Sequence, residues 1–225
     1  MRSPSRKQLP KTAKAQIEAV VKRAMQKHGQ LVEYGFYRSK PGILRNATLS
    51  AKARSADIKP PKARDRSELH VHTDPTTYFS NQSGSAAPSI LDFHSMIGMI
   101  RSQRKPKLRT FHIASTDAKG NVTGYYTMRL SPELMKMIHN QKNEKIHALL
   151  HQIEEWEGPN ARDRGSLNYT TERLKTYHKI FQQLINLGMR VRTTPMPGYV
   201  FRDYYFIRKR WWRRTFTPAP QKKVA

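Results

Sequence analysis

The chain of 225 residues contains no cysteine. Disulfide bonds, thiolate metal ligands and cysteine nucleophiles are therefore excluded, and a bound metal must be held by histidine and carboxylate side chains. Hydrophobic residues are also few, at 37% of the chain. A chain of this length can still bury a substantial core, as one domain with extensions or as two small domains.

Long apolar runs are missing as well. No stretch approaches the roughly 20 apolar residues of a membrane-spanning helix. The N-terminal sequence MRSPSRKQLPKTAKAQ is basic but lacks the apolar centre of a secretory signal. We therefore expect a soluble intracellular protein, cytoplasmic by default and without a membrane partner. The absence of acidic residues before Glu18 leaves a mitochondrial transit peptide open.

Acidic residues are scarce: 16 Asp and Glu stand against 42 Lys and Arg, which gives a formal charge of +26. This excess predicts a polyanionic partner, either nucleic acid, a ribonucleoprotein particle or an acidic protein surface. The charge is densest near the C-terminus, where cationic and aromatic residues alternate. The residues of this run are Arg208, Lys209, Arg210, Trp211, Trp212, Arg213 and Arg214.

Such a mixture of cations and flat rings suits single-stranded nucleic acid or RNA loops, through phosphate contacts and base stacking. The alternative is a solvated basic edge strand whose tryptophans pack on the domain.

Hydrophobic periodicity and turn residues predict an α+β (mixed α/β) fold, with a sheet flanked by helices and a basic C-terminal extension. The predicted helices cover residues 11–28, 89–103, 132–158 and 170–187, and the predicted strands cover 31–38, 68–72, 108–116 and 122–130, with a C-terminal hairpin. Residues 45–68 read as a charged loop or an exposed hairpin. The expected organisation is a basic tail (1–10), a main domain (11–157), a helix-plus-hairpin extension (158–216) and a flexible tail (217–225).

The stretch LHVHTDP carries the strongest candidates for chemistry. His70 and His72 lie on one face of a strand, because side chains alternate, and both can meet one ion. Asp92, in the first turn of the next helix, can direct its carboxylate back at the strand end. Two histidines and one carboxylate leave a fourth position for water, as in catalytic zinc sites. Glu33 is a candidate general base, and Ser89 is a candidate oxyanion donor.

This set resembles the JAB/MPN family of metalloproteases, also called JAMM proteases. Their pattern is an upstream Glu on the first strand, then His-x-His, usually followed by Pro, then Ser-x-x-Asp at a helix start. Here it appears as Glu33 in VEYGFY, as HVHTDP and as SILD, and the resemblance covers roughly residues 11–130. It departs from the pattern at Thr73, which replaces the usual Pro, and in the sixteen residues between His72 and Ser89, a longer gap than usual.

The resemblance implies a cytidine-deaminase-like core sheet and a specific mechanism. His70, His72 and Asp92 would bind Zn²⁺, Glu33 would deprotonate the metal-bound water, and Ser89 would donate to the tetrahedral intermediate. The implied reaction is hydrolysis of a peptide or isopeptide bond in a protein substrate, often at the C-terminus of ubiquitin or a ubiquitin-like protein. The departures leave the substrate open.

Each motif alone has an ordinary explanation. Ser-x-x-Asp at a helix start can be a capping box, and nine histidines make a chance pair unsurprising. A rival pair, His147 and His151, has helical spacing, but Ala148 stands where zinc proteases of the His-Glu-x-x-His type need Glu, so an ordinary helix face is expected. The competing function is a nucleic-acid or ribonucleoprotein binding protein on a JAB-like scaffold. A nuclease or DNA-repair relative of the fold ranks below both.

Overall fold

A computed structural model describes most of the chain between residues 11 and 218. The described residues are 11–28, 33–40, 43–52, 55–62, 64–72, 90–104, 106–117, 119–140, 144, 147–149, 151, 171–206 and 211–218. From residue 201 onward only the backbone is described.

Four helices and ten strands have described bounds, and residues 144, 147–149 and 151 are also helical. The helices are α1 (Lys11–His28), α2 (Ile90–Ser102), α3 (Pro132–Asn140) and α4 (Thr171–Asn186). The strands are β1 (Tyr34–Lys40), β2 (Ile43–Asn46), β3 (Thr48–Lys52), β4 (Ser55–Ile58), β5 (Ser67–His72), β6 (Thr110–Thr116), β7 (Val122–Leu130), β8 (Met189–Pro195), β9 (Tyr199–Phe206) and β10 (Trp211–Pro218).

Six strands form one mixed sheet in the order β2-β1-β5-β6-β7-β8. Strands β5 and β6 are parallel, and every other pair of neighbours in this sheet is antiparallel. A parallel pair needs a crossover connection, and α2 lies in that connection. The remaining strands form two separate hairpins, β3–β4 and β9–β10. The expected mixed α+β sheet flanked by helices is confirmed.

The larger core lies between one face of the sheet and helices α2, α3 and α4. It joins buried side chains from all three helices with those of alternate strand positions. Its members include Tyr37, Phe93, Met96, Ile100, Phe111, Ile113, Tyr126, Met128, Leu134, Ile138, Ile180, Phe181, Leu184 and Met189. We call this face of the sheet the α2 face.

Helix α1 covers part of the opposite face, which we call the α1 face. Its apolar positions recur every three to four residues and bury Ile17 and Val21 against the sheet. The strand residues of this second core are Phe36, Leu69, Val71, Ala114, Val122 and Tyr125. Each central strand therefore alternates between two buried layers, as Ile113 and Ala114 illustrate.

The predicted elements and the observed ones differ mainly in the first third and the last quarter of the chain. The charged segment 45–68 contains the β3–β4 hairpin, and β2 lies just before it. The helix predicted from Pro132 to residue 158 is continuous in the described residues as far as Asn140, with Ser131 Oγ accepting a hydrogen bond from Leu134 N at 3.1 Å as its cap. Residues 144, 147–149 and 151 of the predicted range are also helical. The segment assigned to an extension supplies α4 and β8 to the same core and sheet. Within the described residues, no helix is both long and apolar enough to cross a membrane.

Gly35 fixes how the β3–β4 hairpin sits on the sheet. A Cβ atom built on Gly35 would lie 2.3 Å from Cδ1 and 2.6 Å from Cγ1 of Ile58, the last residue of β4. The Gly35 amide also donates to Thr48 Oγ1 at 3.0 Å. Because Gly35 pairs with His70 across β1 and β5, this contact places the hairpin beside the candidate site.

We predict that Gly35→Ala destabilises the fold, because the new methyl group overlaps Ile58. The expected loss in free energy of unfolding is about 1–3 kcal/mol, measured by urea denaturation. The matched control is Gly98→Ala in α2, where a Cβ meets no atom within 4 Å and the helix should gain about 0.5–1 kcal/mol. Truncating Ile58 to Ala should recover part of the Gly35→Ala loss; a double variant with no recovery would contradict the overlap.

Candidate metal and catalytic site

Strand β5 presents charged residues to the α2 face because its apolar residues face α1. Leu69 and Val71 are buried against α1, so the alternating positions Glu68 and His70 point toward α2. On the facing helix, Asp92 lies in the first turn, next to Phe93, which is fully buried in the core. The packing of Phe93 thus fixes the end of α2 above the strand.

The structure brings together two of the three predicted metal ligands. His70 Nδ1 lies 2.8 Å from Asp92 Oδ1, although the residues are 22 positions apart. Asp92 is 9% exposed, and the His70 side chain is 18% exposed. The site therefore lies at the margin of the core, with its imidazole still reachable from solvent.

Glu68 belongs to the same cluster and was not predicted. Its Oε1 contacts the second ring nitrogen of His70, Nε2, and Glu68 is 2% exposed. Its position two residues before His70 on a strand was the signal that could have found it, because alternation places both on one face. Its other oxygen, Oε2, is buried without a hydrogen-bond partner among the described residues.

The two carboxylates govern the charge of His70. Burial lowers the pKa of the imidazole, but Glu68 and Asp92 outweigh burial and hold that pKa well above its usual value. With a carboxylate at each nitrogen, the ring donates both protons as an imidazolium. In the absence of a metal, His70 is thus a cationic link between β5 and α2.

The strand register aligns Glu33 with the other predicted histidine. In the antiparallel pair of β1 and β5, Tyr34 lies opposite Val71 and Gly35 opposite His70. One further step along the same register sets Glu33 opposite His72. Glu33 is half-buried just before β1, and His72 is the last residue of β5. The His72 side chain and the whole of Ser89 lie outside the described residues.

His70 and Asp92 offer an imidazole nitrogen and a carboxylate oxygen, which are ligand types that zinc takes in proteins. Glu68 would then be the outer carboxylate that orients a metal-bound imidazole and fixes its tautomer. Among the side chains described, no group of three His, Asp or Glu residues is placed to hold a metal ion. The side chain of the predicted third ligand, His72, is not among those described.

A second polar cluster lies beside Glu68, near the end of β5 opposite to His72. The Tyr37 hydroxyl donates to Lys59 O at 2.9 Å and lies 2.8 Å from Sδ of Met99 in α2. Burial, with help from Glu68 and Asp65, raises the pKa of this hydroxyl, so it stays protonated. Arg45 stacks over the Tyr37 ring at 5.1 Å and pairs with the buried Asp65. These contacts join the segment after β4 to the sheet beside Glu68.

The other predicted site residues either lie away from this cluster or lie outside the described residues. His147 and His151, the rival pair, are both exposed. Arg208, Lys209 and Arg210 lie outside the described residues. The backbone of Trp211, Trp212, Arg213 and Arg214 forms the first half of β10, paired with β9, and their side chains are not described.

We predict that His70 stabilises the metal-free protein most at low pH. A pKa raised above the unfolded value of about 6.5 gives stability that is fully present below that pH and is lost as pH rises through the folded pKa. The gap in unfolding free energy between wild type and His70→Gln, measured with a chelator, should therefore be larger at pH 6.5 than at pH 9. One proton changes this gap by at most about 1.4 kcal/mol per pH unit.

His112 provides a control in which the pKa shift, and therefore the pH dependence of stability, has the opposite sign. Burial, aided by Arg38, lowers the pKa of His112 to about 4, so its effect on stability should turn unfavourable as pH falls from 6.5 toward 4. A gap for His70→Gln that does not change between pH 6.5 and pH 9 would contradict the ion pairs.

Comparisons with known proteins add no assignment. No protein-family model matches the chain, and searches of curated proteins and of solved structures returned no significant match. The chemistry of the site is therefore argued from its residues.

Proposed function

We propose that the chain is a zinc-dependent peptidase or isopeptidase of the JAB/MPN type. The observation that carries the proposal is the meeting of His70 and Asp92 at 2.8 Å across the sheet–helix boundary. The register that sets Glu33 opposite His72 supports it, since four of the five motif residues then gather at one end of two adjacent strands. The proposal includes a JAB/MPN core. The mixed sheet with helices on both faces is compatible with that core.

Each residue of the site has a separate role in this proposal. His70, His72 and Asp92 would hold Zn²⁺, which would supply Lewis-acid polarisation of a water and of the substrate carbonyl. Glu68 holds the His70 ring through its second nitrogen. The Glu33 carboxylate accepts a proton from the attacking water and returns it to the leaving amine nitrogen. The Ser89 hydroxyl donates a hydrogen bond to the carbonyl oxygen as negative charge develops there.

The substrate is a protein amide bond, and a ubiquitin-like C-terminus is the class that the resemblance suggests. Segment 73–88, which separates in the sequence the strand and the helix that hold the ligands, lies outside the described residues. The high positive charge of the chain favours an acidic substrate or a polyanionic platform that brings the enzyme to its target.

A second candidate is a nucleic-acid or ribonucleoprotein binding protein in which the same fold is a scaffold. The charge of +26 and the Arg208–Arg214 run with its two tryptophans favour it. The test is to measure nucleic-acid affinity at increasing salt concentration, because binding that depends on phosphate contacts weakens steeply as salt rises. Binding that is absent or insensitive to salt would count against it.

We predict about one zinc per chain, as one set of ligands requires, in protein purified without chelator and measured by elemental analysis. His70→Ala and Asp92→Ala should each lose it, because both supply ligand atoms. Glu68→Gln should keep the ion but weaken its affinity by about 10–100-fold. The Glu33→Gln variant should retain zinc and lose hydrolysis of fluorogenic peptide amides.

The matched control is the double variant His147→Ala/His151→Ala, which removes two exposed histidines and should retain full zinc content. Loss of zinc in that variant alone would show that His147 and His151, and not His70 and Asp92, bind the metal. An absence of zinc in wild type, even after zinc is added back, would remove the proposed centre. Wild-type activity in Glu33→Gln would remove the proposed mechanism.

A further inference from the structure

Strands β7 and β8 form a cationic strip on the α1 face, away from the candidate metal site. Their register pairs Tyr125 with Thr194, Thr127 with Arg192, and Arg129 with Arg190. These six residues lie on the α1 face, where the Tyr125 ring is buried in the second core. Tyr126 and Met128 point to the α2 face and its larger core. We call these six residues the β7–β8 strip. All three arginines of the strip are exposed.

Among the described side chains, no carboxylate forms a salt bridge with the three arginines of the strip. Arg129 and Arg190 are direct cross-strand partners, a placement in which like charges destabilise a sheet. Two rows of cross-strand partners run across the sheet here, and neither row contains a carboxylate. They are Arg38–Ser67–Thr110–Arg129–Arg190 and Phe36–Leu69–His112–Thr127–Arg192. A bound anion would relieve this repulsion.

A cavity of about 360 Å³ opens at one end of the strip. Its lining includes Tyr125, Thr194, Met196 and Tyr199, so it offers two aromatic rings and an apolar side chain. The Tyr125 residue is 3% exposed, and its hydroxyl is buried without a hydrogen-bond partner among the described residues. An unpaired buried hydroxyl is costly, and a ligand with a polar edge would satisfy it once the Tyr125 side chain shifts toward the cavity.

The carboxylates near the cavity are engaged within the protein. Asp117 accepts hydrogen bonds from the amides of Lys119 and Asn121 and, at 3.4 Å, from the Tyr199 hydroxyl. Glu18 accepts one from Val122 N and pairs with Lys14. Neither carboxylate neutralises the arginines of the strip, so an approaching anion meets a positive surface beside a cavity lined with aromatic rings.

We propose that the β7–β8 strip and its cavity bind single-stranded nucleic acid. Phosphates contact Arg129, Arg190 and Arg192, and one base enters the cavity against Tyr125 and Tyr199. Arg190 and Arg192 are two strand residues apart, or about 6.8 Å, which lets them contact neighbouring phosphates. An unpaired base provides both the flat face that stacks on tyrosine and the polar edge that the Tyr125 hydroxyl lacks. A paired duplex base or an acidic peptide side chain does not offer both.

The test measures binding of fluorescent 20-nucleotide oligo(dT) and oligo(U) by anisotropy between 50 and 300 mM salt. Arg190→Gln/Arg192→Gln should weaken binding about tenfold at low salt. It should also reduce the slope of log affinity against log salt by about 1.4, which is two phosphate contacts at about 0.7 each on single strands. Tyr199→Ala should weaken binding by roughly 5- to 150-fold, the range measured for loss of one stacked base, and leave the slope unchanged.

Three controls make the result specific. Arg104→Gln/Lys136→Gln removes two exposed charges beside α2 and in α3, on the opposite face, and should change affinity and slope little. An abasic oligonucleotide should bind wild type and Tyr199→Ala equally, because it has no base to stack. Thermal unfolding should show that every variant is folded.

The proposal is overturned if the Arg104/Lys136 pair weakens binding as much as the Arg190/Arg192 pair. It is also overturned if a 20-base-pair duplex or poly-glutamate binds as tightly as the single strands. The strip variants leave the zinc ligands and the Arg208–Arg214 run unchanged, so this outcome is independent of the metal site.

Discussion

The rest of the structure depends on the ion pairs that His70 makes with Glu68 and Asp92. Strand β5 is covered on both faces, by α1 on one and by α2 on the other. Its alternation places Leu69 and Val71 against α1 and therefore places Glu68 and His70 under α2. A buried carboxylate is costly unless it is paired, and the imidazolium pairs two of them at once. The same contact holds the first turn of α2 at the end of the strand, where the metal chemistry is proposed.

The two faces of the sheet thereby support different chemistry. The α2 face gathers two buried carboxylates and an imidazole along β5, where the divalent cation is proposed. The α1 face carries exposed arginines and a cavity lined with aromatic rings along β7 and β8, an arrangement that suits phosphates and a base. An enzyme with both would be held on a polyanion by one face and hydrolyse its substrate at the other, which joins the two functions that composition and motifs separately suggest.

Sequence reasoning found the elements whose pattern is local. Helix α1, helix α2 and the β6–β7 hairpin have clear periodicity or turn residues, and their bounds agree to within a few residues. The sequence pattern does not predict strand β2 and leaves β3–β4 open between a loop and a hairpin, because short strands with Lys, Arg and Ser look like a charged loop. The joining of β8 to β7 could not be inferred, because that pairing spans about sixty residues and depends on non-local packing.

The sequence by itself determined the spacing of His70, His72 and Asp92, the lack of thiol ligands and the large positive charge. Alternation along a strand and position in a helical turn depend only on neighbouring residues. The placement of the three candidate ligands on their elements could therefore be inferred from the order of residues in the sequence. Only the tertiary structure decided that Glu68 completes the cluster, that Gly35 lies opposite His70, and that Arg129 faces Arg190 beside a cavity. These relations depend on strand register, and a shift of one residue in pairing would send each side chain to the other face.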